Sequence, residues 1–189
     1  MRADALRRRN AIIATAARLF QEHGSNVSLE KIAAEANVGI ATLYRNFPDK
    51  NALVRACSEY LGDDFIAFQD SILARFRAPG SDGRALVEEY ASKLLTMGLT
   101  TLIPAFAPTD LDSLSPDMRA RRDVLIANGN TFMQLGRAHG EIGPNITHLE
   151  FIVGLLALTR PRKVNIEEYE PGIQDAMIAI YLAGIKAGI

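Results

Sequence analysis

The chain has 189 residues, of which 48% are hydrophobic and 23% are charged. This length excludes two large domains, and this composition excludes disordered and fibrous proteins, which lack the apolar residues to form a core. The single cysteine, Cys57, excludes an intrachain disulfide framework and a cysteine-based zinc site, and it favours a reducing, cytoplasmic compartment. We expect no export signal and no membrane span, because the longest apolar run has eight residues (151–158) and a span requires about 20.

Charge is distributed unevenly along the chain. Residues 1–55 contain nine Lys or Arg and five Asp or Glu, a net charge of +4 within a chain whose total is −1. The remainder therefore carries −5. A basic N-terminal region joined to an acidic body is typical of a protein in which only the first region binds a polyanion. Charge alone is weak evidence, because most charged surfaces are merely solvated.

Helical periodicity organises the first 47 residues into three segments. Apolar residues from Ile13 to Phe20 predict a helix over about residues 7–23 that stops near Gly24. Ser28 is suited to cap a short second helix, and a third follows over residues 40–47, ending before Pro48. On this third helix Leu43 and Phe47 face inward. The opposite face then carries Ala41, Thr42, Arg45 and Asn46, with Tyr44 at its edge.

Six further helices are predicted, and no segment shows strand alternation. Their approximate bounds are 49–61, 63–76 after a bend at Gly62, 84–103, 116–138, 147–160 and 171–187. The predicted fold is all-α, with about nine helices. We expect a helix-turn-helix domain over residues 1–52 and a ligand-binding and dimerisation domain over residues 53–189.

The second and third helices, joined by a turn containing Gly39, form a predicted helix-turn-helix. Taken alone, this pattern also fits an ordinary structural hairpin of helices. The chemistry of the outward face favours DNA: Thr42 offers a hydroxyl and a methyl group, Arg45 can bind guanine or phosphate, and Asn46 offers an amide. Lys50 in the next first turn and Ser28 at a helix N-terminus suit phosphate binding.

Residues 9–55 resemble the DNA-binding domain of TetR-type transcriptional regulators. The resemblance rests on Ser28–Gly39 and on Ala41–Lys50, with its Thr-Leu-Tyr, Phe-Pro and following lysine. It implies that Thr42 and Tyr44 contact base and phosphate and that Lys50 contacts phosphate. It also implies a homodimeric repressor on a palindromic operator, released by a small molecule. The predicted DNA-contacting residues are Ser28, Ala41, Thr42, Tyr44, Arg45, Asn46 and Lys50.

The last two predicted helices are apolar around most of their circumference, which favours a symmetric dimer interface built from both. Such a dimer would space two recognition helices by about 34–36 Å, one turn of DNA, or by a multiple. The alternative is a pair of helices buried within their own domain. The predicted interface residues are Leu149, Ile152, Val153, Leu156, Met177, Ile180, Tyr181 and Gly184.

Apolar and aromatic residues of the body predict a pocket for a lipophilic or aromatic effector. Each of them can equally be ordinary core. Two polar members, Asn128 and His139, either bind a ligand or satisfy buried protein groups. The candidate pocket residues are Phe65, Phe68, Tyr90, Leu94, Met97, Phe106, Asn128, Phe132, Met133 and His139.

The sequence contains no catalytic motif, so we predict no enzymatic activity, no cofactor and no metal site. Its three histidines lack metal-binding spacing, and it has neither a phosphate-binding glycine loop nor a nucleophile elbow. Two other functions remain open. One is a helical binding or enzymatic body with an interaction module at its N-terminus, which predicts no DNA affinity. The other is a nonspecific nucleoid-type binder, whose DNA affinity depends steeply on salt and little on sequence.

Overall fold

The computed structural model describes residues 2–97, 114–158 and 168–189, and these ranges contain eight α-helices and no strand. The prediction of an all-α fold is confirmed. No helix within the described ranges is long and apolar enough to cross a membrane. The helices are α1 (Arg2–His23), α2 (Leu29–Glu35), α3 (Ile40–Asn46), α4 (Lys50–Phe76), α5 (Gly83–Thr96), α6 (Pro116–Ala138), α7 (His148–Leu158) and α8 (Ile173–Ala187).

Polar side chains cap several helices at their first turns, including the cap at Ser28 that the sequence predicts. The Ser28 hydroxyl accepts the backbone N–H of Lys31 at 3.2 Å, and the Asp49 carboxylate accepts a backbone N–H at 2.7 Å at the start of α4. At the start of α7, Thr147 and Glu150 bond each other's backbone N–H groups. These reciprocal bonds form a capping box. They provide acceptors for the backbone N–H groups of Thr147 and Glu150, which have no partner within the helix.

The predicted bend at Gly62 is wrong, because α4 runs without a break from Lys50 to Phe76. The buried stripe of Leu53, Cys57 and Leu61 continues beyond the glycine with Phe65. A single glycine inside a helix costs only about 1 kcal/mol relative to alanine, which burial of these side chains offsets. Elsewhere the bounds shift modestly: α1 begins at Arg2 rather than Arg7, and α5 ends at Thr96, before a turn at Met97. The rest of the predicted extension of α5, residues 98–103, and that of α7, residues 159–160, lie outside the described residues.

The chain divides into two compact units, both of which include part of α4. The first contains residues 2–65, 97 and 114–122, and the second contains residues 66–96, 123–158 and 168–189. The core of the first unit joins α1, α2, α3 and the start of α4, with Phe20, Ile32, Leu43 and Leu53 fully buried. The predicted domain boundary after residue 52 stays a prediction.

Aromatic side chains form the core of the second unit. The rings of Tyr90 and Phe132 are stacked with their centroids 3.8 Å apart. Phe76 and Phe151 meet Phe132 edge-on at 5.8 Å and 5.7 Å. All four side chains are buried. The cluster joins α4, α5, α6 and α7, and edge-on and stacked pairs of this kind add to the stabilisation that burial alone provides.

Candidate functional site

Buried side chains hold α2 and α3 in the helix-turn-helix arrangement. Ile32 and Ala33 of α2, Leu43 of α3 and Phe47 just after it all belong to the core of the first unit. The turn between the helices is closed by Asn37, whose φ of 52° is left-handed and whose backbone N–H donates to a carbonyl of α2. Asparagine adopts this conformation more readily than other residues with a Cβ, which explains a tight turn without glycine there.

The face of α3 opposite Leu43 is open to solvent. Ala41, Tyr44 and Arg45 are exposed, and Thr42 is half-buried. Arg45 forms no ion pair with any residue in the described part of the chain. The structure therefore brings these four predicted DNA-contacting residues together on one exposed helix face.

Asn46 differs from its neighbours because its side chain bonds its own helix. Its Nδ2 donates to the carbonyl oxygen of Thr42 at 2.8 Å. The bond uses one amide hydrogen and leaves the Oδ1 acceptor and a second hydrogen for other partners. A contact from Asn46 to a base would accordingly be restricted in geometry.

Two of the predicted phosphate ligands, Ser28 and Lys50, lie close together in the structure. Lys50 Nζ donates to the carbonyl oxygen of Val27 at 2.8 Å, which ties the first turn of α4 to the residue before Ser28. An ammonium group has three hydrogens, so two remain for a phosphate. The Ser28 hydroxyl accepts the cap bond from Lys31 and retains its own hydrogen. Contacts from ammonium groups and from hydroxyl groups to phosphates position a protein on the DNA backbone.

Two arginines of α1 contact other elements of the first unit. The Arg9 guanidinium lies 5.0 Å from the ring centroid of Phe47, and Arg18 bonds Glu35 of α2 at 2.6 Å. The bond to Arg18 lowers the pKa of the Glu35 carboxyl. Both partners of the ion pair are substantially exposed, so its contribution to stability is small. The pair links α1 to α2.

The candidate pocket residues divide between core positions and bonded polar groups. Asn128 donates to Asp70 Oδ1 at 2.9 Å, and His139 Nε2 lies 3.2 Å from the carbonyl oxygen of Phe76. Both polar candidates therefore have protein partners. Phe68 is half-buried, and Phe106 lies outside the described residues. The remaining candidates are buried, two in the first unit (Phe65 and Met97) and four in the second (Tyr90, Leu94, Phe132 and Met133).

A buried polar network in the second unit was missed by the sequence analysis. Gln69 Nε2 donates to Tyr90 Oη at 2.8 Å, and Tyr90 Oη lies 2.9 Å from His148 Nε2. Burial lowers the pKa of His148 to about 4 and raises the pKa of Tyr90. At neutral pH the imidazole is therefore uncharged and accepts the phenolic hydrogen. The sequence does indicate Gln69, because this polar residue interrupts the apolar stripe of α4 three positions before Ile72.

The predicted dimer residues are partly exposed and partly packed within the chain. Leu149, Val153 and Ile180 are 69%, 52% and 73% exposed. Tyr181 instead packs inside the chain: its ring lies against Gly154, and its hydroxyl donates to backbone carbonyls of α7 at 2.9 Å and 3.0 Å. Leu156 is buried, and Ile152, Met177 and Gly184 are half-buried. The structure thus leaves three large apolar side chains of α7 and α8 in solvent.

No group of three or more His, Cys, Asp or Glu residues that could hold a metal ion occurs within residues 2–97, 114–158 and 168–189.

Comparison with known proteins identifies the N-terminal region. Residues 12–57 match the family of bacterial regulatory proteins called the tetR family. A 54-residue segment is 46% identical to HTH-type transcriptional regulators of two Staphylococcus aureus strains, bovine RF122 and USA300. That segment spans 28% of this chain and only 29% of each relative.

Solved structures share the fold over nearly the whole length. A TetR transcriptional regulator of Streptomyces coelicolor superposes with a TM-score of 0.64 at 23% identity, covering 94% of this chain and 97% of that one. The TetR-like regulator LfrR of Mycobacterium smegmatis, solved in complex with proflavine, superposes with a TM-score of 0.65 at 21% identity, covering 97% and 96%. Residues 12–57 therefore match a tetR-family helix-turn-helix domain, and the fold of these two proteins extends over 94% and 97% of the chain.

Proposed function

We propose that this chain, whose N-terminal region is the helix-turn-helix domain of the tetR family, is a cytoplasmic transcriptional regulator that represses its target genes. It acts as a homodimer on a palindromic operator and is released by a small apolar or aromatic effector. One observation carries the proposal: α3 is anchored through Leu43 while Ala41, Thr42, Tyr44 and Arg45 stand together on its exposed face. The hydroxyl, guanidinium and phenol gathered there are groups that contact bases and phosphates, which favours DNA binding over a purely structural hairpin.

In this proposal base contacts and phosphate contacts fall to different residues. Thr42 and Arg45 read base edges, because a hydroxyl, a methyl group and a guanidinium match the groups displayed in the major groove. Tyr44, Lys50 and Ser28 bind phosphates on either side. The bond from Lys50 to Val27 supports this role, because it holds the ammonium beside Ser28 with two hydrogens still available.

Salt dependence separates the two kinds of contact. Thr42→Ala is expected to reduce the preference for operator over scrambled DNA by roughly tenfold, with the salt dependence unchanged. Lys50→Ala is expected to weaken binding to both DNAs equally and to lower the slope of log affinity against log salt by about 1. Fluorescence anisotropy over a salt series measures both quantities.

Matched controls lie in the second unit. Thr131→Ala removes a hydroxyl that bonds only its own helix, and Lys186→Ala removes an ammonium paired with Glu141. Neither substitution should change either measurement. Losses that are equal on operator and scrambled DNA for both Thr42→Ala and Lys50→Ala would instead identify a nonspecific DNA binder, and an intact chain without DNA affinity would identify an interaction module.

A dimer is part of the proposal because one short recognition helix reaches few base pairs. The exposed side chains of Leu149, Val153 and Ile180 support α7 and α8 as the contact surface, since large apolar groups gathered on neighbouring helices mark interaction sites. Two copies related by a two-fold axis would bury this surface against itself.

The effector is proposed to bind the second unit, whose core is aromatic. LfrR, which shares the fold, was solved with the aromatic compound proflavine. Planar aromatic compounds are therefore rational first probes for this chain: we expect carbazole, which lacks the positive charge of proflavine, to bind the protein and the operator complex to dissociate as it is added. Saturation by carbazole without any change in operator affinity would refute release by this compound.

A further inference from the structure

Gln69 carries a buried hydrogen-bond acceptor that lacks a donor. Its side chain is 1% exposed, and its Oε1 has no partner within the described part of the chain. Both hydrogens of its Nε2 are used, one by Tyr90 Oη at 2.8 Å and one by the carbonyl oxygen of Leu125 at 3.3 Å. Native proteins contain few such unsatisfied groups, and each indicates a missing partner or a functional role.

The orientation of this amide follows from its neighbours. The carbonyl oxygen of Leu125 can only accept a hydrogen bond, so the amide atom beside it must be the nitrogen. Rotating the amide by half a turn would place oxygen against oxygen at that contact. The group left without a partner is therefore an acceptor, and the missing partner is an N–H or O–H donor.

The surroundings of Gln69 define which donor is suitable. Tyr90, its bonded neighbour, stacks on Phe132 and lies 6.0 Å from Phe68 between ring centroids. Burial at the far end of the network keeps His148 uncharged at neutral pH, because its pKa is lowered to about 4. The same burial disfavours a charged ammonium beside Gln69. These aromatic neighbours and this penalty on charge favour a donor that is neutral and flat.

We propose that Gln69 Oε1 is a ligand-recognition group that accepts a hydrogen bond from a neutral aromatic molecule bearing an N–H or O–H group. The inference rests on the effector-responsive function proposed above and narrows the effector class. Aromatic compounds of the same shape without a donor would leave the acceptor unpaired.

Matched heterocycles test this recognition directly. Indole and benzofuran, like carbazole and dibenzofuran, have nearly the same shape, but only the first of each pair has an N–H donor. Titration calorimetry on the full chain should show the N–H member binding about tenfold more tightly, the factor that one buried hydrogen bond of ordinary strength provides. Gln69→Met, which keeps the length and removes the amide, should bring the two affinities within a factor of two.

Gln134→Met is the matched control, because Gln134 is exposed on α6 of the same unit. It should preserve the tenfold preference. If Gln69→Met does not fold, the comparison of each pair on the unmodified chain can still overturn the inference. Equal affinities within both pairs, or no binding of any of the four compounds, would overturn the inference and assign the acceptor to a buried water.

Operator binding measured in parallel separates this inference from the proposed function. A clear preference for the N–H compounds without any effect on operator affinity would leave the Gln69 site standing and refute effector control by these ligands. Release of operator by donor and donor-free compounds at equal occupancy and equal affinity would support effector control and refute the role of Gln69.

Discussion

Gly129 is the position where the buried network is most sensitive to a single added methyl group. The glycine lies within α6, and a Cβ built on it would overlap ring atoms Cε1 and Nδ1 of His148. Gly129→Ala must therefore displace the imidazole and break its 2.9 Å contact with Tyr90 Oη. Overpacking costs about 1–3 kcal/mol and a lost buried hydrogen bond about 1–3 kcal/mol, whereas alanine gains about 1 kcal/mol in helix propensity. We expect a net destabilisation of about 3 kcal/mol.

A double-mutant cycle isolates the cause of this effect. In a His148→Ala background the obstructing ring is absent, so Gly129→Ala should stabilise the protein by about 1 kcal/mol through helix propensity alone. The free energy of unfolding of all four proteins is measured by urea denaturation followed by circular dichroism. The reversal of sign between the two backgrounds is the predicted result. Equal destabilisation in both backgrounds would refute the packing of His148 over Gly129.

Three further predictions concern other parts of the chain. Burial lowers the pKa of His148 from 6.5 to about 4, so the stability that its neutral form contributes is complete above pH 6.5 and is lost as the pH falls through 4. Relative to wild type, the unfolding free energy of His148→Gln should therefore rise by up to about 3 kcal/mol between pH 7 and pH 4. A difference between the two proteins that stays constant with pH would contradict this. Asn37 has a left-handed φ of 52°, which glycine adopts without strain and alanine does not. In thermal denaturation, Asn37→Gly should therefore raise the unfolding free energy by about 0.5–1 kcal/mol, and Asn37→Ala should lower it by about 1 kcal/mol. Equal effects of the two substitutions would argue against the left-handed turn. Ile180→Glu should weaken the homodimer at least about 100-fold in sedimentation equilibrium, because each of the two copies loses a buried side chain that contributes about 2 kcal/mol to association. Ile126→Glu on α6, also an exposed isoleucine, should leave the dimer unchanged. An Ile180→Glu variant with an unaffected dimer would place the interface elsewhere.

Most of the fold was predictable because helical periodicity and capping are local properties. Ser28, Asp49 and Thr147 mark helix starts through side chains that bond backbone groups three residues away, and such bonds depend on few long-range contacts. Gly62 shows where local reasoning fails. A glycine permits a bend without requiring one, and the burial of Leu61 and Phe65 on either side of it decides in favour of a continuous helix.

The two candidate sites differed in how far the sequence could describe them. The exposed face of α3 follows from the inward direction of Leu43 and Phe47, so its members could be identified by helical geometry alone. The network of Gln69, Tyr90 and His148 joins three helices that are distant in sequence. Periodicity assigns each residue to a face but cannot say which faces meet, and the partners of Asn128 and His139 were unpredictable for the same reason.

Selection of genomic fragments with the purified full chain tests whether the exposed face of α3 recognises a DNA sequence. We expect enrichment of an inverted repeat whose half-site centres lie about 34–36 Å apart, or a multiple of that distance. Thr42→Ala should recover the same repeat with relaxed preference within each half-site, while Thr131→Ala should recover it unchanged. Recovery of fragments without a shared motif, or a motif that Thr42→Ala leaves unaltered, would show that this face does not recognise the sequence.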